Sequence, residues 1–600
     1  MNRKQRRAAE AASPPGGGLD ALYALAMAHQ RAGRLAAALD CFRTAAARAP
    51  RSAQAQYNLG VACTQAGARA EALAAFAAAA RLQPDFAEAL TNLGTALLEA
   101  GRLDEAEAAL TKAVRLGPGA TGHNSLGAVL KRQGRLAEAA AAFEAALAIA
   151  PAHVDALTNL AGVLADLGAA APAMARIRQA LALAPAHAKA RNILGVILLD
   201  QGERAAAADA FRAAIAQAPA EPDAYVNLGD TLAGLGEPGQ EVALCREAVA
   251  RAPDSVAALN NLGTALYNAR ALPEAIATFR RAVALAPEAA EGHFHLGMAR
   301  LAAGDMPGGW HDYEWRWRTP FLGPLRRHFA APLWDGASPG TLLLHAEQGF
   351  GDTIQFCRYA PLLAARGWRV HLEVQPPLHR LLRGLPGLAS VIARGEALPE
   401  VDAQAPLMSL PSLLGTSLAS IPGATPYLAA APADSARVAA GLPPRPGRRV
   451  GLAWAGNAYR SSRELAAVNR RRSLDPAALA PLAALPGVHL ISLQKDGAAP
   501  GLPLTDLMPA VQDFADTAAL IDNLDLVIAV DTAVAHLAGA LGKPVWLLNR
   551  YDAEWRWLHG RRDSPWYPTM RIFPQQAAGD WAPVVADVAT ALAALGPGAQ

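Results

Sequence analysis

Two short stretches carry residue types that could do chemistry. In Leu342-Leu343-Leu344-His345-Ala346-Glu347-Gln348-Gly349-Phe350-Gly351-Asp352-Thr353, an apolar run enters a turn with two glycines and an acid follows. A helical pattern then continues through Ile354, Phe356, Ala360 and Leu363. That order reads as a buried parallel strand, a tight turn and a helix start. Gly349 and Gly351 let the backbone turn sharply and approach a ligand. Asp352 then stands at the carboxyl end of a strand, where open α/β sheets hold their ligands. In Asp531-Thr532-Ala533-Val534-Ala535-His536-Leu537-Ala538-Gly539-Ala540-Leu541-Gly542, Asp531 ends a strand while Thr532 and Ala533 open a helix. The free amides and positive end of a helix suit a phosphate. His536, four residues past Thr532, shares its helical face. Together these groups could hold a diphosphate and its sugar. The structural alternatives are a helix cap at Asp352, a plain N-cap at Asp531 or Thr532, and a core histidine at His536.

The elements that must position these groups alternate strand and helix, which calls for a sheet covered on both faces. In residues 341–444 the strand candidates are Leu342–His345, Val370–Val374 and Val391–Ile392. Residues 403–430 read as loops with one short helix. A proline-rich break at Pro443-Pro444-Arg445-Pro446-Gly447 marks a boundary. In residues 445–600, a strand from Arg449 runs into the Gly456-Asn457 turn, and 458–471 read as a long loop. A helix over Leu474–Leu482, begun near Ser473, comes next. Strands at Val488–Leu493, Leu526–Val530 and Pro544–Leu548 follow, with helices at Thr517–Leu524, Thr532–Leu541 and Trp581–Leu595. The expectation is two Rossmann-like layers with the site in the cleft between them.

The first half is a repeat array. A Leu-Gly or Leu-Ala pair recurs from Leu25-Ala26 to Leu296-Gly297 with a step of 34 residues, apart from one step of 33, and a proline follows each small residue by 24 positions in all but the ninth unit. Each unit reads as two short helices. One pair cannot bury its apolar face alone, so neighbours must stack into a solenoid over residues 19–320. Asn58, Asn92, Asn159, Asn227 and Asn261 each precede the leucine of the pair, and Asn124 and Asn192 lie one position earlier. A row of amides there could bind an extended peptide backbone, or could cross-link neighbouring helices. In the ninth unit aromatics replace alanines. Trp310, Tyr313 and Trp317 read as a packing stripe against the next domain, and 321–340 as an irregular connector. Of Trp555, Trp557, Trp566 and Tyr567, one ring could stack on a base or sugar, and most read as packing.

Composition narrows the function classes. The 600 residues are 52% hydrophobic and 18% charged with a net charge of +3, which gives no argument for nucleic acid or an anionic membrane as the main partner. Cys41, Cys63, Cys245 and Cys357 fit neither a disulfide framework nor a zinc motif, so a reducing, cytoplasmic setting is expected. The basic start, residues 1–18, has no apolar segment after it and does not read as a secretory signal. No apolar run is long enough to span a bilayer. No Gly-x-x-x-x-Gly-Lys-Ser/Thr or Gly-x-Gly-x-x-Gly is present, and the histidines show no metal-ligand spacing.

The period and pattern of the first half match tetratricopeptide repeats, and the amide row resembles the asparagine ladder of the O-linked N-acetylglucosamine transferases. Over about residues 340–600, Leu342–Pro361 resembles the opening of the bacterial heptosyltransferases of glycosyltransferase family 9, and Asp531–Pro544 resembles their nucleotide-sugar helix. The whole chain resembles bacterial proteins that join such repeats to this domain. The resemblance implies a GT-B architecture and transfer of a sugar from a nucleotide diphosphate sugar to an acceptor hydroxyl, without a metal or further cofactor. Asp352 would be the general base, and a basic residue of Arg470-Arg471-Arg472-Ser473 would face the donor phosphates. Spacing leaves Arg471 and Arg472 open, with Arg472 preferred. Lys495 could meet phosphate or base, and Asn457 and Gln494 could hydrogen-bond the donor. The acceptor is expected to be a protein or peptide held by the repeats. The alternatives are a lipopolysaccharide or other glycan acceptor, with repeats that recruit a partner or make a homodimer, and a catalytically silent scaffold.

Overall fold

The computed structural model describes residues 18–219, 221–235, 238–337, 340–442, 447–456, 463–495, 499 and 501–596. The chain divides into two compact units, residues 1–218 and 219–600. The first holds six described helix pairs, from Leu19–Arg31 with Leu35–Arg48 to Ala188–Asp200 with Arg204–Gln217. Within a pair the glycine of the Leu-Gly motif makes room for a large residue of the second helix. A Cβ on Gly60, Gly127 or Gly195 would lie 2.5, 2.7 or 2.5 Å from a ring carbon of Phe76, Phe143 or Phe211. Those rings are buried, along with the alanines around them. The turn between the two helices ends in a left-handed glycine, such as Gly101 at φ 75° and Gly202 at φ 83°, the usual helix stop.

The second unit opens with three more pairs. They are Pro222–Leu235 with Pro238–Arg251, Val256–Asn268 with Leu272–Leu285, and Ala290–Ala302 with Met306–Tyr313. The last helix runs on as a 3-10 turn, Glu314–Arg318. Trp310 and Tyr313 pack into the α/β layers as expected. The Trp310 indole donates to the Thr416 carbonyl at 3.1 Å and meets Trp555 edge-on at 5.2 Å. Trp317 instead stays half-buried under the Arg316 guanidinium, 4.6 Å away.

The α/β region holds two parallel sheets, a GT-B-like arrangement. The first contains β1 (Thr341–His345), β2 (Arg369–Val374), β3 (Ser390–Ala393) and β4 (Ala403–Pro406) in the order β3-β2-β1-β4. The second contains β5 (Arg448–Ala453), β6 (Val488–Ser492), β7 (Leu526–Val530), β8 (Val545–Asn549) and β9 (Met570–Pro574) in the order β6-β5-β7-β8-β9. Strand order therefore reverses between β1 and β4, and between β5 and β7. These are the points where open sheets leave a crevice at their carboxyl ends. Helices that matter below are α1 (Phe350–Phe356), α2 (Pro376–Leu382), α3 (Arg463–Arg472), α4 (Phe514–Asp522) and α5 (Ala533–Ala540).

Several expectations are corrected. Residues 403–406 are a strand, not loop: Ala-Gln-Ala-Pro is too short and too weakly apolar to announce itself, and pairing with β1 makes it. β9 was not expected for a similar reason, and pairing with β8 forms it. The connector is tied to the sheet by the Leu333–Gln404 bridge. The stretch expected as a loop over 458–471 contains α3, so the arginines form the last turn of a helix rather than the approach to one. After it, Leu474–Leu482 is not continuous helix. Asp475 caps a 3-10 turn, Pro476–Leu479, and only Ala480–Ala483 is α-helical. The proline-rich break at 443–446 and Asn457 lie outside the described residues.

Candidate functional site

One tight approach brings the two motifs together. β1 delivers the chain to the Gly349–Asp352 turn, and β7 delivers it to Asp531 and α5. A Cβ on Gly351 would sit 2.9 Å from Cδ2 of His536 and 3.5 Å from the Ala533 Cα. Only a residue without a side chain lets α1 come this close to the start of α5. The first sheet's glycine turn and the start of α5 on the second sheet therefore pack directly against each other. The same closeness extends outward. Phe350 packs against Phe514 at 5.1 Å. Arg380 of α2 donates to Asp513 at 2.7 and 2.8 Å and to Asp516 at 2.6 Å, at the start of α4.

Asp352 is held from two sides. Its Oδ2 accepts the Gly349 N–H at 2.8 Å, which closes the turn. Its Oδ1 pairs with the Arg556 guanidinium. Arg556 is buried, also donates to the Gln355 Oε1 at 2.7 Å, and pairs with Glu554. A charge this deeply buried needs such partners. Burial pushes the Glu554 carboxyl up to about 7 against the pull of Arg556. Arg556 fixes the direction of the Asp352 carboxylate, and sequence reasoning missed it. It lies in Glu554-Trp555-Arg556-Trp557, where the aromatics drew attention away. Those aromatics, with Trp566 and Tyr567, are fully buried and form packing, not an exposed stacking platform.

On the α5 side of this contact, Thr532 takes the N-cap position in extended conformation, but its side chain makes no cap hydrogen bond. Its hydroxyl turns back to the Val530 carbonyl at 3.3 Å. The first-turn amides are thus left uncapped by that hydroxyl, as a phosphate would require. His536 is buried, its Nδ1 lies 2.9 Å from the Tyr567 hydroxyl, and burial holds it neutral by lowering its pKa to about 3. It can therefore offer a neutral hydrogen bond but no charge to a phosphate.

The neighbouring arginines diverge. Arg472 donates to the Asp531 carbonyl at 3.2 Å and to Asn469 Oδ1 at 3.0 Å, and packs against Gly456 at the switch between β5 and β7. Arg471 instead pairs with Asp552 at 2.9 Å. Ser473 Oγ donates to the Asn469 carbonyl at 2.7 Å and accepts the Gly456 N–H at 3.3 Å. Gln494 Oε1 accepts the N–H groups of Trp454 and Ala455 at 3.2 and 3.0 Å and so shapes the loop after β5. Lys495 is exposed and donates to the Val511 carbonyl at 2.6 Å.

The amide row in the repeats is half-buried at Asn58, Asn92, Asn159, Asn227 and Asn261. Within the first unit Asn159 donates to Asn124 at 2.9 Å and accepts from Lys189 at 2.7 Å, which links three consecutive repeats. Asn58 accepts from Gln54 at 2.9 Å. Among the described residues no group of three His, Cys, Asp or Glu side chains could hold a metal ion, and no helix is long and apolar enough to cross a membrane.

Comparison with known proteins agrees with this division. The cilia and flagella-associated protein 70 C-terminal domain matches residues 1–227, tetratricopeptide repeats match 226–290 and 260–309, and glycosyltransferase family 9 (heptosyltransferase) matches 495–557. The last match contains Asp531, His536 and Arg556, while Asp352 lies outside it. Protein FlbA of Caulobacter vibrioides is 29% identical over 326 residues, covering 49% of this chain and 53% of that protein, so the chain spans about half the length of this relative. Among solved structures, the APC/C hetero-tetramer Cut9-Hcn1 overlaps at 19% identity with a TM-score of 0.34, over 42% of this chain and 46% of that one. YrrB, a TPR protein, overlaps at 22% identity with a TM-score of 0.25, over 30% of this chain and 95% of that one. Overlaps this partial carry no functional argument. The repeats, the two parallel sheets and the family 9 match together identify the chain as a tetratricopeptide-repeat array followed by a heptosyltransferase-like domain of GT-B type.

Proposed function

We propose that this protein is a glycosyltransferase that moves a sugar from a nucleotide diphosphate sugar to an acceptor hydroxyl. The observation that supports the reading is the contact of Gly351 with His536 and Ala533, which brings the Gly349–Asp352 turn against the uncapped start of α5. The donor diphosphate would lie at the α5 amides, with Arg472 offsetting the charge that develops on the leaving diphosphate. Asp352, aimed by Arg556, would take the proton of the acceptor hydroxyl as the anomeric carbon is attacked. Helix amides and arginine would serve the diphosphate where other transferases use a metal.

The acceptor is a protein or peptide in this reading. The repeats support it, since stacked helix pairs present extended binding surfaces, and the amides at Asn58, Asn92, Asn159, Asn227 and Asn261 would contact its backbone. The bonds that Asn159 already makes to Asn124 and Lys189 favour a cross-linking role at that position. A cytoplasmic setting goes with the reading, supported by four unpaired cysteines.

The test is a panel of nucleoside diphosphate sugars read by ligand-induced stabilisation of the whole chain. A ligand that binds the folded form at a hundred times its Kd stabilises it by about 2.7 kcal/mol. At least one donor should raise the melting temperature, and Arg472→Ala should weaken that effect. If no member of the panel shifts melting, the scaffold reading replaces this one.

A further inference from the structure

One position breaks the period of the array. Eight residues after the leucine of the Leu-Gly or Leu-Ala pair the chain has glycine in eight of the nine repeats. Among the described residues these are Gly33, Gly67, Gly101, Gly134, Gly168, Gly202 and Gly304, all left-handed with φ between 70° and 87°, and Gly236 lies outside the described residues. In the eighth repeat the same position is Arg270, and it keeps the left-handed backbone at φ 62°. A long side chain has been placed where the turn favours none.

The side chain accounts for the exception. Arg270 donates to the Tyr551 carbonyl at 2.6 Å and to the Gln575 carbonyl at 3.0 Å, and its guanidinium lies 4.0 Å from the Tyr551 ring centre. One turn earlier the Tyr267 hydroxyl donates to the Ala553 carbonyl at 3.3 Å. The last turn and cap of Val256–Asn268 therefore grip the segment that follows β8 from the repeat side. That segment supplies one partner to each of two ion pairs that reach beyond it: Asp552 holds Arg471, and Arg556 holds Asp352. The Tyr551 N–H is in turn fixed by the Gln575 Oε1 at 2.9 Å.

We propose that Arg270 is a positioning residue: the eighth repeat, through this arginine, sets the placement of the loop 550–556 and hence of Arg556 and the Asp352 carboxylate it aims. The repeat array is then part of the catalytic framework as well as a surface for partners. Its catalytic arm rests on the transferase reading above, and its structural arm does not.

The experiment uses the full chain with Arg270→Gly, which installs the residue that the other repeats have at this turn, and Arg270→Lys as a partial replacement able to reach one carbonyl at a time. Amide hydrogen exchange is followed across the chain. In Arg270→Gly, amides 551–558 should exchange at least tenfold faster, while those of Val256–Asn268 keep their protection. Arg270→Lys should fall between. With an active donor, Arg270→Gly should lower kcat about tenfold or more with little change in donor KM, and Arg270→Lys should recover part of it. Unchanged exchange at 551–558, or equal loss of protection in Val256–Asn268, would overturn the structural arm. Faster exchange with unchanged kcat would overturn the positioning of Asp352. A chain in which no donor binds, but in which exchange changes as stated, would retire the transferase reading and leave the docking role standing.

Discussion

The first six repeats and the last two are cut to one 34-residue template but fill it differently. In the first unit the turns end in glycine, the second helices bring a phenylalanine, leucine or isoleucine to the shared core, and the remaining positions are mostly small. In the eighth and ninth repeats the same template carries Tyr267, Arg270, Trp310, Tyr313 and Arg316, and each of these side chains reaches the α/β layers or their loops. Arg316 is fully buried and donates to Ser409 at 2.8 Å and to both oxygens of Glu347 at 3.2 Å, in the loop that leads from β1 to Asp352. A repeat that contacts only its neighbours can be regular. One that must also seat a foreign surface cannot, so departures from the period mark the docking face.

The two regions should differ most in their effect on chemistry. Asp352→Asn should reduce transfer by about 10²–10⁴-fold, the usual worth of a general base, and should also lower the melting temperature, because the buried Arg556 loses one of its carboxylate partners. An equal loss of transfer from a core substitution in the first unit, such as Phe143→Ala, would erase the distinction between the regions. Next is Trp310→Ala. It removes a buried indole that meets Trp555, Phe356 and the Thr416 carbonyl, and should cost about 3–5 kcal/mol, read by chemical denaturation of the second unit. The glycine substitutions sharpen the contrast further. A Cβ at Gly127 meets the Phe143 ring, which can shift, whereas at Gly297 it meets the Tyr313 backbone nitrogen at 2.6 Å. Gly297→Ala should therefore destabilise more than Gly127→Ala, by roughly 1–3 kcal/mol on the scale of overpacking.

Taken per group and per pH unit, the smallest expected effects are those of pH. His295, His345 and His536 are kept neutral, with burial lowering them to about 4, 4 and 3. The unfolded chain protonates them near 6.5, so their contribution is intact above that pH. It is lost as pH falls below it, at up to roughly 1.4 kcal/mol per pH unit for each histidine. All three lie in the second unit. There burial also raises Glu347 and Glu554 to about 7, and their proton uptake offsets part of the loss, so the second unit should still lose stability between pH 6.5 and 4.5 faster than the first. Burial opposes the charge of Asp513 and Asp516, yet their bonds to Arg380 hold both below the usual carboxylate range. Their stabilisation is present above about pH 4 and fades below it. A melting profile in which both units respond alike from pH 6.5 to 4.5 would contradict this assignment.

Much of this was legible in the sequence because it was periodic or abrupt. The 34-residue step gave the helix pairs, and the strand-to-helix turns at Gly349–Asp352 and Asp531–Thr532 are the two that meet through Gly351. What escaped was set by tertiary pairing. β4 and β9 are four and five residues long and owe their state to their neighbours. α3 was hidden by its polarity: Arg463–Arg472 shows only a few apolar positions among charges. Arg556 was masked by tryptophans on both sides. Arg270 left a signal that could have been found, since it is the break in a column of glycines.

The central claim is that Asp352 acts on the acceptor in a cleft whose opposite wall, at α5, holds the donor. The direct measurement is parallel titration and turnover of one nucleoside diphosphate sugar with the unaltered chain and with Asp352→Asn. Donor affinity should stay within about twofold of the original while transfer falls by two orders of magnitude or more. Transfer that survives the substitution, or donor affinity that falls as far as turnover does, would contradict it.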